Sequence, residues 1–152
     1  MTHKRTAIEC QSAKHRILLV FLITVLAAWL PSCAKTASSA TLVEYRRTGG
    51  IAGLDDHLIV RANGQATLTR RDQRYEFALE RETLSQLQSL LDNAQFTRLS
   101  GEYLPSQPGA DLFTYTITYR GNTVRSMDTA VPEVLQPALD LLNQTVASHG
   151  KP

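Results

Sequence analysis

The stretch HLIVRANGQATLTRR, His57 to Arg71, sets apolar residues on both sides of Asn63-Gly64, and few local patterns restrict a chain so firmly. Asn-Gly is favoured in the type I′ hairpin turn, because both central residues must take positive φ. Counting outward from such a turn pairs Ile59 with Leu68 on one face and leaves Leu58 and Val60 on the other. A second hairpin is read in LFTYTITYRGNTVRSM, Leu112 to Met127, with Gly121-Asn122 as its turn. There Phe113, Tyr115, Ile117 and Tyr119 line one face and threonines line the wetter one. Aromatic residues at this spacing are core or cross-strand partners far more often than stacking platforms. TLVEYRR, Thr41 to Arg47, reads as an earlier strand, and YEFAL, Tyr75 to Leu79, as a continuation of the first hairpin or a new strand after a turn near Asp72.

Between and after the hairpins the apolar period changes. Leu84, Leu87, Leu90, Leu91 and Ala94 recur at three and four, which predicts an amphipathic helix. Its start is open between a capping box at Thr83 to Gln86 and a beginning at Arg81. Leu135, Leu139, Leu142 and Val146 make a second helical stripe, with Pro132 suited to a first turn and Pro137 expected to kink the chain before helix resumes. Leu99 to Asp111, with two prolines and two glycines, is the longest predicted loop. The order β-β-β-α-β-β-α predicts an α+β fold: an antiparallel sheet of about five strands, with both helices on one face.

The ends of the chain carry a different message. Lys4, Arg5, Lys14 and Arg16 lead into an uncharged apolar run from Ile17 to Leu30, so residues 1–32 are read as a signal peptide. Those 14 residues fall short of the roughly 20 that a bilayer-spanning helix needs. The run ends in Leu30-Pro31-Ser32-Cys33, which resembles a bacterial lipobox, and in that resemblance Cys33 is the lipidated first residue of the mature protein. An ordinary signal cut after Ala37 or Ala40 is the alternative. Residues 33–40 then form a short tether, residues 41–148 a single domain, and the expected place is the cell envelope, lipid-anchored and facing out of the cytoplasm.

Removing the signal also removes Cys10, and with Cys33 lipidated no disulfide remains. Only His57 and His149 are left as histidines, so metal sites built on Cys and His pairs are excluded, and neither a cofactor nor a metal is expected. Loss of Lys4, Arg5, Lys14, Arg16 and Glu9 turns 16 basic and 14 acidic residues into 12 and 13, a net charge of −1. General affinity for nucleic acid loses its support at that step.

Gly49-Gly50-Ile51-Ala52-Gly53 sits between the first strand and Asp55-Asp56. A phosphate cradle requires glycines that open onto a helix N-terminus, whereas here two carboxylates and a strand follow. Paired aspartates could serve in acid–base or cation chemistry, but neighbours on an extended chain point to opposite faces, and a solvated turn is the better reading. His57 lacks any activated Ser or Cys motif to serve. No enzyme is expected; a small hydrolase would need His57, a carboxylate and a nucleophile gathered in one concave pocket.

The run RRTGGIAG, Arg46 to Gly53, at the end of a first strand resembles the emfourin family of protein inhibitors of thermolysin-like metallopeptidases. NAQF at Asn93 to Phe96, ADLFTYTI at Ala110 to Ile117 and the proline-started last helix add to the resemblance, which spans about Leu42 to Val146. This chain carries Ile51 where the family motif has an aromatic residue, and Asp55 and Asp56 where basic residues are common. The resemblance implies a partner-binding loop of Arg47, Thr48, Gly49, Gly50, Ile51, Gly53 and Asp55, acting from a monomer on a secreted metallopeptidase. Ile51 would fill the pocket that takes the bulky apolar residue after the cut bond, with Asp55 or Asp56 approaching the zinc. Two other readings stand beside it: an envelope lipoprotein that binds another protein or a cell-wall component, and glycines that only join two strands. Exposed apolar side chains on the loop favour the inhibitor, and a groove over Thr114, Thr116 and Thr118 favours the other lipoprotein reading.

Overall fold

Apolar side chains at every second residue give one buried sheet face, and the two helical stripes close over it. The computed structural model describes residues 40–99, 101–107 and 109–150, all within one compact unit, Ala37–Pro152. The segment read as a signal peptide, Cys33 and most of the expected tether lie outside the described residues. The fold is α+β. Its elements are β1 (Thr41–Gly49), β2 (Leu54–Arg61), β3 (Gln65–Arg70), β4 (Gln73–Ala78), α1 (Arg81–Asn93), β5 (Glu102–Tyr103), β6 (Phe113–Tyr119), β7 (Asn122–Met127) and α2 (Gln136–His149).

The sheet has seven strands, not about five, in the order β4-β3-β2-β1-β6-β7-β5. One added strand is β4, paired with β3 across a tight turn at Arg71-Asp72. The other is β5, inside the segment expected to be loop, and it runs parallel to β7, so the sheet is mixed. Two residues carry no readable period. Glu102 instead lies opposite Arg125 and bonds its guanidinium at 2.9 Å.

Both hairpin turns differ from expectation by one residue. In the first, Leu58 faces Leu68 and Ile59 faces Thr67, so Leu58, Val60, Ala66 and Leu68 share the core face. The connection is the three residues Ala62-Asn63-Gly64, of which only Gly64 has positive φ, +86°, and Gly64 N–H donates to Arg61 C=O at 2.9 Å. That is the three-residue hairpin with glycine in the left-handed position, not a type I′ turn at Asn63-Gly64. The second hairpin closes on Tyr119 and Asn122. Its two central residues are Arg120 and Gly121, with φ of 50° and 79°, so the type I′ geometry occurs there, with arginine where asparagine is usual.

The core joins Val43 and Tyr45 of β1, the inner residues of β2, β3, β6 and β7, Leu87 and Leu91 of α1, and Leu139, Leu142 and Val146 of α2. Tyr119 meets the Phe96 ring edge-on at 5.9 Å and donates its hydroxyl to Asp92 at the end of α1, which fixes that helix to the sheet. Helix α1 begins at Arg81 with Glu82 in its first turn, without the capping box. Ahead of α2, Glu133–Leu135 form a short 3₁₀ turn, and the α-helix starts at Gln136 with Pro137 in its first turn, where the missing N–H costs nothing.

Gly64→Ala is expected to destabilise the domain by about 1–2 kcal/mol, because a side chain resists the left-handed conformation. Asn63→Ala, which loses one exposed hydrogen bond to Gln65 N–H, should cost less than about 1 kcal/mol. Urea unfolding of both variants checks the turn: equal and large losses would mean that Asn63 also needs positive φ.

Candidate functional site

From Val43 opposite Val60, strands β1 and β2 pair without interruption up to Gly49 and Leu54, leaving Gly50-Ile51-Ala52-Gly53 as a four-residue loop. Gly53 N–H donates to Gly50 C=O at 3.0 Å, and φ is +111°, +70° and +56° at Gly49, Gly50 and Gly53. Close approach explains two of these glycines. A Cβ at Gly49 would stand 2.4 Å from the Leu112 carbonyl oxygen, and one at Gly50 would stand 2.7 Å from the Phe113 ring. The glycines thus let the loop lean against the start of β6. At Gly53 the space is open, and only the backbone conformation asks for glycine. Ile51 stands at the tip with 88% of its surface exposed, more than any other large apolar residue described.

Side-chain alternation sorts the charges beside this loop onto two faces. Arg46 and Asp55 lie on the open face, joined by two bonds, Nε to Oδ1 at 2.9 Å and Nη2 to Oδ2 at 2.8 Å. The Arg46 hydrogen bond holds the Asp55 carboxyl below the ordinary carboxylate range. His57, also on that face, pairs with Glu44 at 2.8 Å.

Asp56, Arg47 and Arg70 share the parity of the core residues and turn inward. Asp56 is fully buried: Arg47 donates to it from Nη2 at 2.6 Å and Arg70 from Nε at 2.6 Å. Burial alone would raise the Asp56 carboxyl; the hydrogen bonds from Arg70 and Arg47, with their charges, outweigh it and hold the group below its ordinary range. Arg47 Nη1 and the Tyr45 hydroxyl both donate to Asn143 Oδ1 of α2, at 3.1 and 2.7 Å. Arg70 Nη1 donates to the Gly150 carbonyl just past α2 at 2.6 Å. Arg47 also lies over the Phe113 ring at 5.5 Å.

The structure therefore divides the predicted loop residues. Thr48, Gly49, Gly50, Ile51 and Gly53 form the hairpin end, Asp55 is a partly exposed partner of Arg46, and Arg47 is a half-buried strut behind the loop, its side chain 16% exposed. Asp55 and Asp56 stand on β2, not in a solvated turn. Arg70 and Asn143 were missed by reading the sequence alone. Both were within reach: Arg70 shares its parity with Ala66 and Leu68, and Asn143 stands four residues after Leu139 and three before Val146, on the buried face of α2. Among the described residues no group of three or more His, Cys, Asp or Glu side chains could hold a metal ion, and no helix is long and apolar enough to cross a membrane.

The fold and this end of the sheet define a class, a small α+β domain that presents a glycine-built hairpin tip. No protein-family model matches the chain, and no curated protein matches it.

Truncating Asp56 to Ala is expected to cost about 3–5 kcal/mol, because two inward arginines lose their shared counterion. Since the folded Asp56 carboxyl titrates below its unfolded value of about 3.9, its contribution is complete above that pH and is lost as pH falls through the lower, folded value. Urea unfolding from pH 7 to 2 should show wild type and Asp56→Asn converging only on the acid side. A gap between them that stays constant down to pH 2 would refute this linkage.

Proposed function

We propose that this is an exported, lipid-anchored protein-binding domain, and that its partner is a secreted zinc metallopeptidase of the thermolysin type, which it inhibits. The supporting observation is Ile51, 88% exposed at the tip of a loop whose glycines are packed against Leu112 and Phe113. A bulky apolar side chain held in water gains by entering a pocket, and a loop already held in shape loses little entropy when it does so. The work is surface complementarity around one anchor, and no chemistry is performed on the partner.

The carboxylates narrow this reading. Asp56 is buried between Arg47 and Arg70, and Asp55 is held by Arg46 through two bonds, so contact through Ile51 fits better than carboxylate ligation of the zinc. Orientation agrees with an anchor at Cys33. β1 enters at Thr41 and runs nine residues to Gly49, about 30 Å, so the loop lies at the pole of the sheet opposite the tether's entry.

Titrating thermolysin-like peptidases with residues 37–152 tests the proposal. Inhibition or binding is expected, and Ile51→Asp should abolish it while changing stability by less than about 0.5 kcal/mol, as for an exposed residue. Gly50→Ala should weaken both binding and folding, because its Cβ cannot coexist with the Phe113 ring in place. Absence of binding across several such enzymes would overturn the reading.

A further inference from the structure

The two edges of the sheet are β4 and β5, and β5 is only two residues long. β4 is the long edge: six residues, Gln73–Ala78, paired on one side with β3. Arg71-Asp72 is a two-residue connection, so the Arg70–Gln73 pair that closes it is hydrogen-bonded, and bonded pairs alternate from there. Gln73, Tyr75 and Phe77 thus direct their backbone groups to β3, while Arg74, Glu76 and Ala78 turn theirs outward. Among the described residues, no backbone group from any other element reaches them.

Charges on an edge ordinarily discourage pairing with another chain. Here the two charges have opposite sign and stand two residues apart, so their effect depends on register. In an antiparallel pair of two copies, a register centred on Arg74 opposes two arginines, and one centred on Glu76 opposes two glutamates. A register centred on Tyr75 sets each Arg74 opposite the Glu76 of the other copy. That register also makes the Arg74–Glu76 positions the hydrogen-bonded pairs, because both turn their backbone groups outward. The ion pair that Arg74 and Glu76 form within one chain, at 2.7 Å, is exposed, with 62% and 68% of the side-chain surfaces open. Such a pair is worth little and exchanges readily for one between chains.

From this geometry we infer that β4 is a self-complementary edge through which two copies of this domain pair antiparallel about Tyr75, joining their sheets. The occupant is a second copy, in place of the monomer expected from sequence. The contact lies two strands away from the β1–β2 loop, so each copy keeps its Ile51 tip free.

Residues 37–152 contain the whole core and no cysteine, which makes charge reversal and cross-linking both clean tests. Sedimentation equilibrium up to about 1 mM chain should give a concentration-dependent dimer, since short edge contacts bind weakly. Arg74→Glu and Glu76→Arg alone should each weaken it about tenfold or more, because the facing charges become alike. Mixing the two single variants should restore association, as a heterodimer of one acidic and one basic edge. Tyr75→Cys should form an intermolecular disulfide on mild oxidation, its Cα atoms facing at about 4.5 Å, whereas Gln73→Cys should not. A monomer at every concentration, a dimer indifferent to both reversals, or a mixture that fails to associate would each overturn the inference.

Discussion

A single buried carboxylate organises the end of the sheet that carries the candidate site. Asp56 accepts from Arg47 of β1 and from Arg70 of β3, so three adjacent strands are tied at one level. The same two guanidinium groups reach Asn143 and the Gly150 carbonyl, so the last helix is fixed to those strands too. Buried ion pairs seldom add net stability over apolar packing, because desolvation offsets the attraction. What they impose is geometry, since any other register of β2 against its neighbours would strand a charge away from water. The loop at the end of β1 inherits that fixed geometry. It can be rigid without a disulfide because its stem is held by charge and its side by Phe113.

Because Arg47 serves as stem, it bears on the loop in a different way from the residues beyond it. The sequence motif runs Arg47-Thr48-Gly49-Gly50-x-x-Gly53 as one unit, yet its parts act at different distances from solvent. The Arg47 guanidinium lies over the Phe113 ring, Gly49 and Gly50 let the backbone lean on Leu112 and Phe113, and Ile51 stands exposed beyond them. A motif of this kind combines one position for contact with several for shape. On the proposed reading, substitution at Arg47 reaches binding only through folding, whereas substitution at Ile51 acts on binding directly.

Much of this was readable in advance, and the misses share a cause. Apolar periodicity located both helices, because burial repeats along the chain in a way that packing must respect, and the prolines foretold a short first turn ahead of α2, although Pro137 opens the helix where a kink was expected. Turn chemistry was read from residue preference, and there tertiary demand prevailed. Asn63 was the better residue for positive φ, yet Arg120 takes it, since pairing Tyr119 with Asn122 keeps Tyr115, Ile117 and Tyr119 on the core face and leaves two residues to turn. Strand β5 gave no signal because two residues have no period. Asp56 gave one that was misread: counted from Leu58 and Val60, it falls on the core side, and so do Arg47 from Val43 and Tyr45 and Arg70 from Leu68. Three inward charges at one end of a sheet are intelligible only as partners.

The same alternation that buries those charges leaves the opposite face with paired ones. Arg46 with Asp55, Arg74 with Glu76 and Arg125 with Glu102 all stand on the open side, each neutralised by a near neighbour, and Glu44 there is hydrogen-bonded to His57. A face so compensated projects little field, and residues 33–152, with 12 basic and 13 acidic side chains, carry a formal charge of −1 that gives no long-range attraction to an anionic surface or a polyanion. On the proposed reading recognition comes from short-range fit, and two places among the described residues offer it without first breaking a buried contact. One is apolar, at Ile51; the other is the outward backbone of β4, which no other described element pairs. They lie on different strands and use different forces, hydrophobic burial in one and main-chain hydrogen bonding in the other, so the domain can engage both at once.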